Sequence, residues 1–341
     1  MPGRVPFSPM VVIGSPFDQG GFRLGARLGP AAVRLAGLKR TFEALEIPVV
    51  DVGDLPFIDG EKGSGLNYFE GCLQNLIRLR DATLDAIGQG KIPCAIGGDH
   101  SMSMGSVAAA RHVYGDDLAV LWVDAHADSD TPATTPSRNL HGMSVAALIG
   151  LPSGVEGKMQ EQWDQLQNEL MGGQFLNPAN MAWLGLREVD EGERNVVGEA
   201  REQGAFVSTM YDLDRTSMPA MVDRFTAWLR ERGATRLWIS FDVDSLDPIL
   251  APGTGTTVHG GLTYREMHVM GEILYEELTK GNCQLAGLDV VEINPLFDHN
   301  NAQLVVQRCI PPTKRGPTLK DGVPFANKRM RCLEFACVVQ T

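Results

Sequence analysis

Long apolar runs are absent from this sequence of 341 residues. No stretch of about 18 consecutive apolar residues, the length that a membrane-spanning helix needs, occurs in it. The N-terminal stretch MPGRVPFSPMVVIGSPFDQGG is interrupted by proline and glycine, so it lacks the continuous apolar region of a secretory signal. We therefore expect a soluble, cytoplasmic protein that does not associate with membranes.

Paired cysteines and an excess of positive charge are missing as well. The six cysteines show no CxxC spacing, which argues against a thiolate metal site and against a disulfide framework. The formal net charge of -12 disfavours binding to nucleic acid, whose backbone is anionic. The glycine-rich segment GGDHSMSMGS (97–106) lacks the GxxxxGK[ST] pattern of a phosphate-binding loop. A small cationic substrate remains compatible with this composition.

Eight short apolar runs alternate with amphipathic, helix-like stretches along the chain. The runs contain MVVIGSPFD, IPVVDVGD, KIPCAIGGDH, LAVLWVDAHAD, MAWLGLRE, AFVSTM, TRLWISFDVD and CQLAGLDVVEIN. This alternation is typical of an α/β protein with a parallel sheet covered by helices on both faces. No linker or repeat divides residues 1–306, which we expect to form a single domain. Residues 307–341 form an atypical tail that is basic and rich in proline.

Histidine and acidic residues stand at the ends of four of these runs. Because ligands bind beyond the carboxyl ends of the strands in open parallel sheets, we expect these side chains to meet in one cleft. Residues at positions i, i+2 and i+4 of a strand face the same way, so the D-x-H-x-D and D-x-D patterns can direct all their side chains into it. The residues are His100, Asp124, His126, Asp128, Asp242, Asp244 and Glu292.

Charge repulsion makes cations necessary if these side chains do meet. Four ionised aspartates within a few ångströms would raise one another's pKa strongly unless cations neutralised them. Two divalent ions would balance the four charges, and a set of imidazole and carboxylate ligands without thiolate suits Mn²⁺. Ions bridged by carboxylates would lie roughly 3.5 to 4 Å apart, a separation at which metal pairs activate water.

The motifs in which these residues occur resemble those of the ureohydrolases, the family of arginases and agmatinases, and among them most resemble the arginases. They are GGDHSMSMGS, WVDAHAD followed by TPATTPSRNLHGM, LGLREVDEGE, SFDVDSLDP with PGTGTTVHGGLTYRE, and GLDVVEINP. Weaker agreement extends the resemblance to about residues 10–306. It implies a three-layer αβα fold of the arginase-deacetylase type, with an eight-stranded, mostly parallel sheet.

The resemblance also implies an activity and roles for residues. It implies a binuclear manganese hydrolase that cleaves the guanidinium of L-arginine to give L-ornithine and urea. One ion would be held by His100, Asp124, Asp128 and Asp242, and the other by Asp124, His126, Asp242 and Asp244. Asp128 would accept a hydrogen bond from the nucleophile and pass a proton to the leaving amine, His141 would carry protons, and Glu292 with Thr256 would bind the guanidinium.

Substrate selection is implied to depend on the loop 130–139 and on the segment REVDEGE. The residues that match the arginase pattern there are Thr135, Ser137, Asn139, Asp190 and Glu193. Asp130 and Arg138 depart from it, because arginases usually have asparagine and glycine at these positions. A carboxylate beside a substrate carboxylate is repulsive, so we hypothesise that Arg138 pairs with Asp130 or itself binds the substrate carboxylate.

Other functions are compatible with parts of this pattern. The altered loop could admit agmatine, 4-guanidinobutyrate or 3-guanidinopropionate, and a formimidoylglutamase would share the fold. A single-zinc deacetylase does not need His126 and Asp244, and a non-catalytic scaffold protein would not be expected to retain all six ligands. The resemblance also implies a homo-oligomer, a trimer or hexamer, although the atypical tail departs from the region that contributes to such interfaces.

Overall fold

A computed structural model describes residues 8–44, 47–281 and 283–298; the tail 307–341 lies outside the described residues. Its strands coincide with the eight apolar runs of the sequence. The strands are β1 (Met10–Ser15), β2 (Val49–Asp54), β3 (Ile92–Gly97), β4 (Leu118–Val123), β5 (Met181–Leu186), β6 (Phe206–Thr209), β7 (Arg236–Asp242) and β8 (Gln284–Val291).

The eight strands form one sheet in the order β2-β1-β3-β8-β7-β4-β5-β6. Every strand pair is parallel, so the predicted fold class is confirmed and the sheet is parallel throughout. Strands β3, β8, β7 and β4 are consecutive neighbours at the centre of this order. The four runs that end in histidine or acidic residues are these central strands, and their carboxyl ends therefore open on the same part of the sheet edge.

Helices cover both faces of the sheet and complete the three layers. They are α1 (Gly29–Ala36), α2 (Leu38–Ala44), α3 (Phe69–Gly88), α4 (Ser103–Tyr114), α5 (Ser144–Leu148), α6 (Lys158–Glu169), α7 (Glu191–Glu202), α8 (Met210–Arg215), α9 (Met218–Arg232) and α10 (Tyr264–Thr279). None of the helices in the described part of the chain has both the length and the apolar character of a membrane span.

Two apolar cores, one on each face, follow from the alternation of side chains along the buried strands. In β4, Ala119, Leu121 and Val123 join the core beneath α1, α2, α9 and α10. Leu118, Val120 and Trp122 join the core beneath α3, α4, α5, α6 and α7. Because both faces are buried, the strands are almost continuously apolar, which is why they were visible in the sequence.

Two helical stretches that look continuous in the sequence are each divided in the structure. The stretch 29–45 is interrupted at Gly37, which ends α1 with a φ of 115° that favours glycine. The stretch 212–233 is interrupted at Ser217, whose extended backbone and side chain cap α9, with a proline in the first turn of that helix. Local capping signals therefore override the helical periodicity at both places.

The close contact between α3 and α4 depends on Gly105. A Cβ atom added there would lie 2.5 Å from the carbonyl oxygen of Leu76 in α3. We expect Gly105→Ala to lower the free energy of unfolding by about 1 to 3 kcal/mol, because the helices must separate. Gly88→Ala, in α3 with nothing within 4 Å of the added atom, is the control. Chemical denaturation of both variants would measure the difference, and equal stabilities would contradict the packing argument.

Candidate metal centre

The predicted ligand residues converge at the carboxyl ends of the central strands. His100 begins a short 3-10 helix after β3, Asp124 follows β4 directly, and Asp242 is the last residue of β7. Five of the six residues are buried, and only the His126 side chain, 20% exposed, has appreciable contact with solvent. The sheet therefore brings the side chains together in a largely enclosed site.

The first group of side chains surrounds the ring of His100. Its Nδ1 atom lies 2.8 Å from Oδ2 of Asp124 and 3.0 Å from Oδ2 of Asp128. Oδ2 of Asp242 lies 3.1 Å from the same nitrogen. The opposite ring nitrogen, Nε2, is 2.8 Å from Oγ of Ser240, and the ring stacks on Trp122 with the centroids 4.0 Å apart. Nδ1 therefore faces three carboxylates while the rest of the ring is held in place.

The second group of side chains surrounds His126. Its Nδ1 atom lies 3.1 Å from Oδ2 of Asp244 and 3.4 Å from Oδ1 of Asp124. Asp124 thus presents one carboxylate oxygen to each histidine. The ligand atoms of His100, Asp124 and Asp128, and those of Asp124, His126 and Asp244, are close enough to surround an ion in each group. The two groups share one carboxylate, as the ligands of a metal pair do.

The charges of this site are unbalanced without cations. Burial and the neighbouring aspartates raise the pKa of Asp128 and of Asp242, and the pKa of Asp244 rises to about 6 for the same reasons. Nδ1 of His100 and Oδ2 of Asp124 are both buried and lie 2.8 Å apart. Neither atom makes a hydrogen bond with suitable angles. Buried imidazole and carboxylate atoms that converge in this way fit divalent cations. These residues could therefore hold the predicted metal.

The backbone fixes the orientation of the two carboxylates that follow β4 and β7. Oδ1 of Asp124 accepts a hydrogen bond from the backbone N–H of His126, and Oδ1 of Asp242 accepts one from that of Asp244, each at 2.7 Å. Each carboxylate is thus bonded to the residue two positions later. The expectation that strand alternation directs these side chains into the cleft is therefore wrong, because β4 ends at Val123 and β7 ends at Asp242. The D-x-H and D-x-D spacings instead place a backbone N–H where the carboxylate can accept from it.

Glu292 and His141 lie beside the first group. Oε1 of Glu292 accepts a hydrogen bond from the backbone N–H of His100 at 3.0 Å and lies 3.7 Å from Nδ1 of His141. Glu292 and Asp128 both have positive φ values, 62° and 49°. Residues other than glycine adopt such a backbone at an energetic cost, and these conformations are common at functional sites.

Thr256 is hydrogen-bonded to a ligand residue of the second group. Its hydroxyl donates a hydrogen bond to Oδ2 of Asp244 at 3.1 Å. The structure therefore connects Thr256 to the second group of ligands, and its participation in guanidinium binding with Glu292 stays a prediction.

The loop 130–139 differs from one detail of the sequence hypothesis. Oδ1 of Asp130 accepts a hydrogen bond from the hydroxyl of Thr134 at 2.6 Å, whereas Nη1 of the exposed Arg138 lies 3.4 Å from the carbonyl oxygen of Ser64. Across the ranges that the structure describes, Arg138 and Asp130 form no ion pair, so that half of the hypothesis is wrong. Arg138 has a φ of 62°, in the left-handed region that favours glycine, which is the residue that arginases usually have at this position.

The remaining residues of this loop bond to one another. The backbone N–H of Arg138 donates to Oγ1 of Thr135, and that of Asn139 donates to Oγ of Ser137. The side chain of Asn139 in turn accepts a hydrogen bond from Asn67 at 2.7 Å. The loop is therefore held in a defined conformation by its own polar side chains.

Asp190 and Glu193 form the N-terminal cap of α7, beside the same loop. Each carboxylate accepts a hydrogen bond from the other residue's backbone N–H, and Oε1 of Glu193 also accepts one from Ser129. Burial and the charge of Asp128 raise the pKa of Glu193 to about 8. Burial likewise raises the pKa of Asp130 to about 6, and Asp190 adds to the effect. The rim of the site, formed by the loop 130–139 and the start of α7, therefore holds several carboxyl groups, two of which keep their protons to a higher pH than usual.

Comparison with known proteins identifies the group to which this architecture belongs. The model of the family described as "Arginase family" matches residues 8–310. The chain belongs to the arginase family. Members of this family are metal-dependent hydrolases that act on C–N bonds of guanidino groups, and the predicted family and enzyme class are confirmed.

Individual arginases resemble the chain over most of its length. It is 34% identical to the arginase of Staphylococcus aureus strain MRSA252, covering 85% of this chain and 91% of that protein. It is 35% identical to the arginase of Bacillus caldovelox, covering 86% and 93%. A solved structure of the Bacillus caldovelox arginase matches with a TM-score of 0.76 at 33% identity, covering 87% of this chain and 95% of that one.

Several residues that support the centre in this family member were missed in the sequence. Asp289, within β8, accepts hydrogen bonds from Ser240 at 2.5 Å and from the indole of Trp238 at 2.7 Å, and Ser240 contacts His100. An aspartate inside an otherwise apolar strand is a signal that could have identified it. Arg187 donates hydrogen bonds to carbonyl oxygens around Asp244, and no sequence signal marks such acceptors.

The raised pKa of Glu193 predicts a pH dependence for the metal-free protein. A carboxyl whose pKa is higher in the folded than in the unfolded protein stabilises the fold at low pH, and this contribution is lost as pH rises towards about 8. We expect Glu193→Gln, stripped of metal by a chelator, to lose less stability than the wild type between pH 5 and 9. The difference should be on the order of a few kcal/mol.

Urea denaturation across this pH range would measure it. Glu266→Gln is the matched control, because Glu266 occupies the equivalent capping position of α10 but is only partly buried, whereas Glu193 is buried. Parallel pH profiles for wild type and Glu193→Gln would contradict the assignment.

Proposed function

We propose that this protein hydrolyses L-arginine to L-ornithine and urea, with two Mn²⁺ ions bound per subunit. The observation that carries the proposal is the pair of His/Asp groups that share Asp124. The similarity to arginases over most of the chain supports L-arginine as the substrate.

One ion would be held by His100, Asp124, Asp128 and Asp242, and the other by Asp124, His126, Asp242 and Asp244. The contacts around the two histidine rings support this division. When bound, the ions lower the pKa of a water molecule, so that a nucleophile is available near neutral pH. The ligands are nitrogen and oxygen atoms, which suits Mn²⁺.

The protein's own residues would orient the substrate and move protons. A guanidinium presents several N–H donors in a plane and pairs well with a carboxylate, and we assign this contact to Glu292. Asp128 and Asp124 both contact Nδ1 of His100, so the Asp128 carboxylate lies within the first group of ligands. It would accept the proton of the attacking water and deliver it to the departing nitrogen as the new C–O bond forms and the C–N bond breaks.

His141 would exchange protons between this centre and solvent. Its side chain is 15% exposed, while its Nδ1 lies 3.7 Å from Glu292. Although burial alone lowers its pKa, Glu292 and Asp128 outweigh that effect and raise it. A ring that keeps some contact with solvent and titrates at or above the usual range of histidine can release and recover protons during turnover.

Recognition of the amino-acid end of the substrate is assigned to the rim. The substrate carboxylate would be surrounded by Thr135, Ser137, Asn139 and Arg138. The ammonium group would be bound by Asp190 and Glu193.

Asp130 favours a second candidate substrate. Because its carboxylate lies near Asp190 and Asp128, the rim could instead accept a guanidino compound that has a cationic end and no carboxylate, such as agmatine.

The resemblance to arginases also supports a homo-oligomer of three or six subunits in the cytoplasm. Size-exclusion chromatography with light scattering would establish the number of subunits.

Loss of the proton-transferring carboxylate should abolish catalysis. With Mn²⁺ added, we expect Asp128→Asn to lower kcat for urea release from L-arginine by at least about 100-fold, since acid-base catalysis contributes on this scale. Asp81→Asn is the control, because Asp81 is exposed and pairs with its neighbour Arg80 on the surface. Removal of Mn²⁺ from the wild type should have a comparable effect. Activity within about tenfold of wild type in Asp128→Asn would refute the assigned role.

A substrate panel would decide between the two candidates at the rim. We expect kcat/KM for L-arginine to exceed that for agmatine, 4-guanidinobutyrate and 3-guanidinopropionate. A preference for agmatine of more than about tenfold, roughly 1.4 kcal/mol, would overturn the proposed substrate. Arg138→Gly should keep kcat/KM for L-arginine within about tenfold, because Arg138 is exposed and an ion pair between exposed groups contributes only about 0 to 1 kcal/mol.

A further inference from the structure

Arg187, in the segment after β5, holds the turn that carries Asp244. Its Nη2 atom donates to the carbonyl oxygen of Asp244 at 2.5 Å and to that of Leu246 at 3.3 Å, and Nη1 donates to that of Ser245 at 3.2 Å. One guanidinium therefore binds three successive carbonyl groups. The turn 244–246 follows the last residue of β7. The backbone N–H of Leu262 also donates to the carbonyl oxygen of Ser245, at 2.9 Å, so the guanidinium adds to one backbone contact that the turn already has.

The same guanidinium also binds the loop that contains Thr256. Nη2 and Nε of Arg187 lie 2.8 and 3.2 Å from the carbonyl oxygen of Val258. The hydroxyl of Thr256 bonds to Asp244. Asp244 is thus fixed twice, through its own carbonyl group by Arg187 and through its carboxylate by a loop that Arg187 also holds.

The acceptors of this guanidinium are unusual for a partly buried arginine. Throughout residues 8–44, 47–281 and 283–298, no carboxylate forms an ion pair with it, and its partners are main-chain carbonyl groups. A Cβ atom on Gly261 would lie 2.7 Å from Nη2, so the loop after β7 closes tightly around it. An arginine enclosed in this way acts on the backbone conformation of the turn.

The first group of ligands is held by other contacts. His100 is fixed by Ser240 and by Glu292. The carbonyl group of Asp128 accepts a hydrogen bond from the backbone N–H of Val145 at 2.7 Å. Neither set of contacts includes Arg187, so a change at this residue should affect the two groups unequally.

We propose that Arg187 is a positioning residue for the second metal position, the one formed by Asp124, His126 and Asp244. This inference rests on the proposed binding of two ions. Arg187 contacts no ligand atom; it acts by holding the backbone from which Asp244 extends and the loop that orients its carboxylate. Residues that orient a metal ligand in this way contribute about 10- to 100-fold to metal affinity.

The test is the binding of Mn²⁺ to Arg187→Gln, measured by calorimetry and by electron paramagnetic resonance. We expect the first ion to bind with affinity within about twofold of wild type and the second at least about tenfold more weakly. With two equivalents of Mn²⁺ added, the wild type should show the electron paramagnetic resonance spectrum of a coupled pair of ions. The variant should still show the spectrum of a single, isolated ion. Asp244→Asn, which removes a ligand of the second position, supplies the reference spectrum.

Arg187→Lys keeps the positive charge but has fewer hydrogen-bond donors, so it should bind the second ion with intermediate affinity. If Arg187→Gln does not fold, Arg187→Lys replaces it in the test. Arg111→Gln is the matched control. Arg111 is a partly buried arginine that donates to the carbonyl oxygen of Phe175 and pairs with Asp116, neither of which belongs to a ligand group. It should lower thermal stability while leaving the binding of both ions unchanged.

Two results would overturn the inference in distinguishable ways. If the wild type binds two ions and the Arg187 variants bind both with unchanged affinity, or lose both equally, the inference fails while the proposed function stands. If the wild type binds a single ion, the binuclear proposal fails, and the inference fails with it.

Discussion

The mutual repulsion of four buried aspartates is the constraint on which the rest of the site depends. Asp124, Asp128, Asp242 and Asp244 are buried at the carboxyl edge of the sheet, and the raised pKa values of three of them show the cost of that arrangement. The fold would not gather these groups for its own stability. Each is oriented by a backbone N–H or by an imidazole, so that their oxygens converge where cations relieve the repulsion.

The topology of the sheet makes this convergence possible. The ligands come from strands that are far apart in sequence, yet β3, β8, β7 and β4 are neighbours in space. A crossover between β3 and β4 leaves room for β8 and β7 between them. The crevice at the carboxyl ends of such strands is where α/β sheets commonly bind ligands, and here the apolar cores on both faces keep the four strands in register.

The parts of the structure that were predictable from sequence are those governed by local patterns. Most of the strands were identified because strands buried on both faces are almost entirely apolar, whereas the edge strand β2 is largely exposed and was identified by its valines. The convergence of His100, Asp124 and Asp242 followed from their places at strand ends. The interruptions at Gly37 and Ser217 depend on individual capping residues, which the helical periodicity concealed. The position of Thr256 beside Asp244 and the separation of Arg138 from Asp130 depend on how loops pack, which spacing does not determine. The role of Arg187 could not be predicted from the sequence, because its hydrogen-bond acceptors are main-chain carbonyl groups, which every residue has.

The left-handed backbones of Asp128 and Glu292 have a consequence for how this chain can change. At both positions glycine would relax the backbone, since a side chain there costs roughly 1 to 2 kcal/mol. Selection for stability alone would therefore replace these two carboxylates, and so would a design procedure that optimises the fold without regard to chemistry. The two carboxylates therefore lower the free energy of unfolding at positions that the chemistry does not allow to change. A more thermostable relative would have to gain its extra stability elsewhere in the molecule.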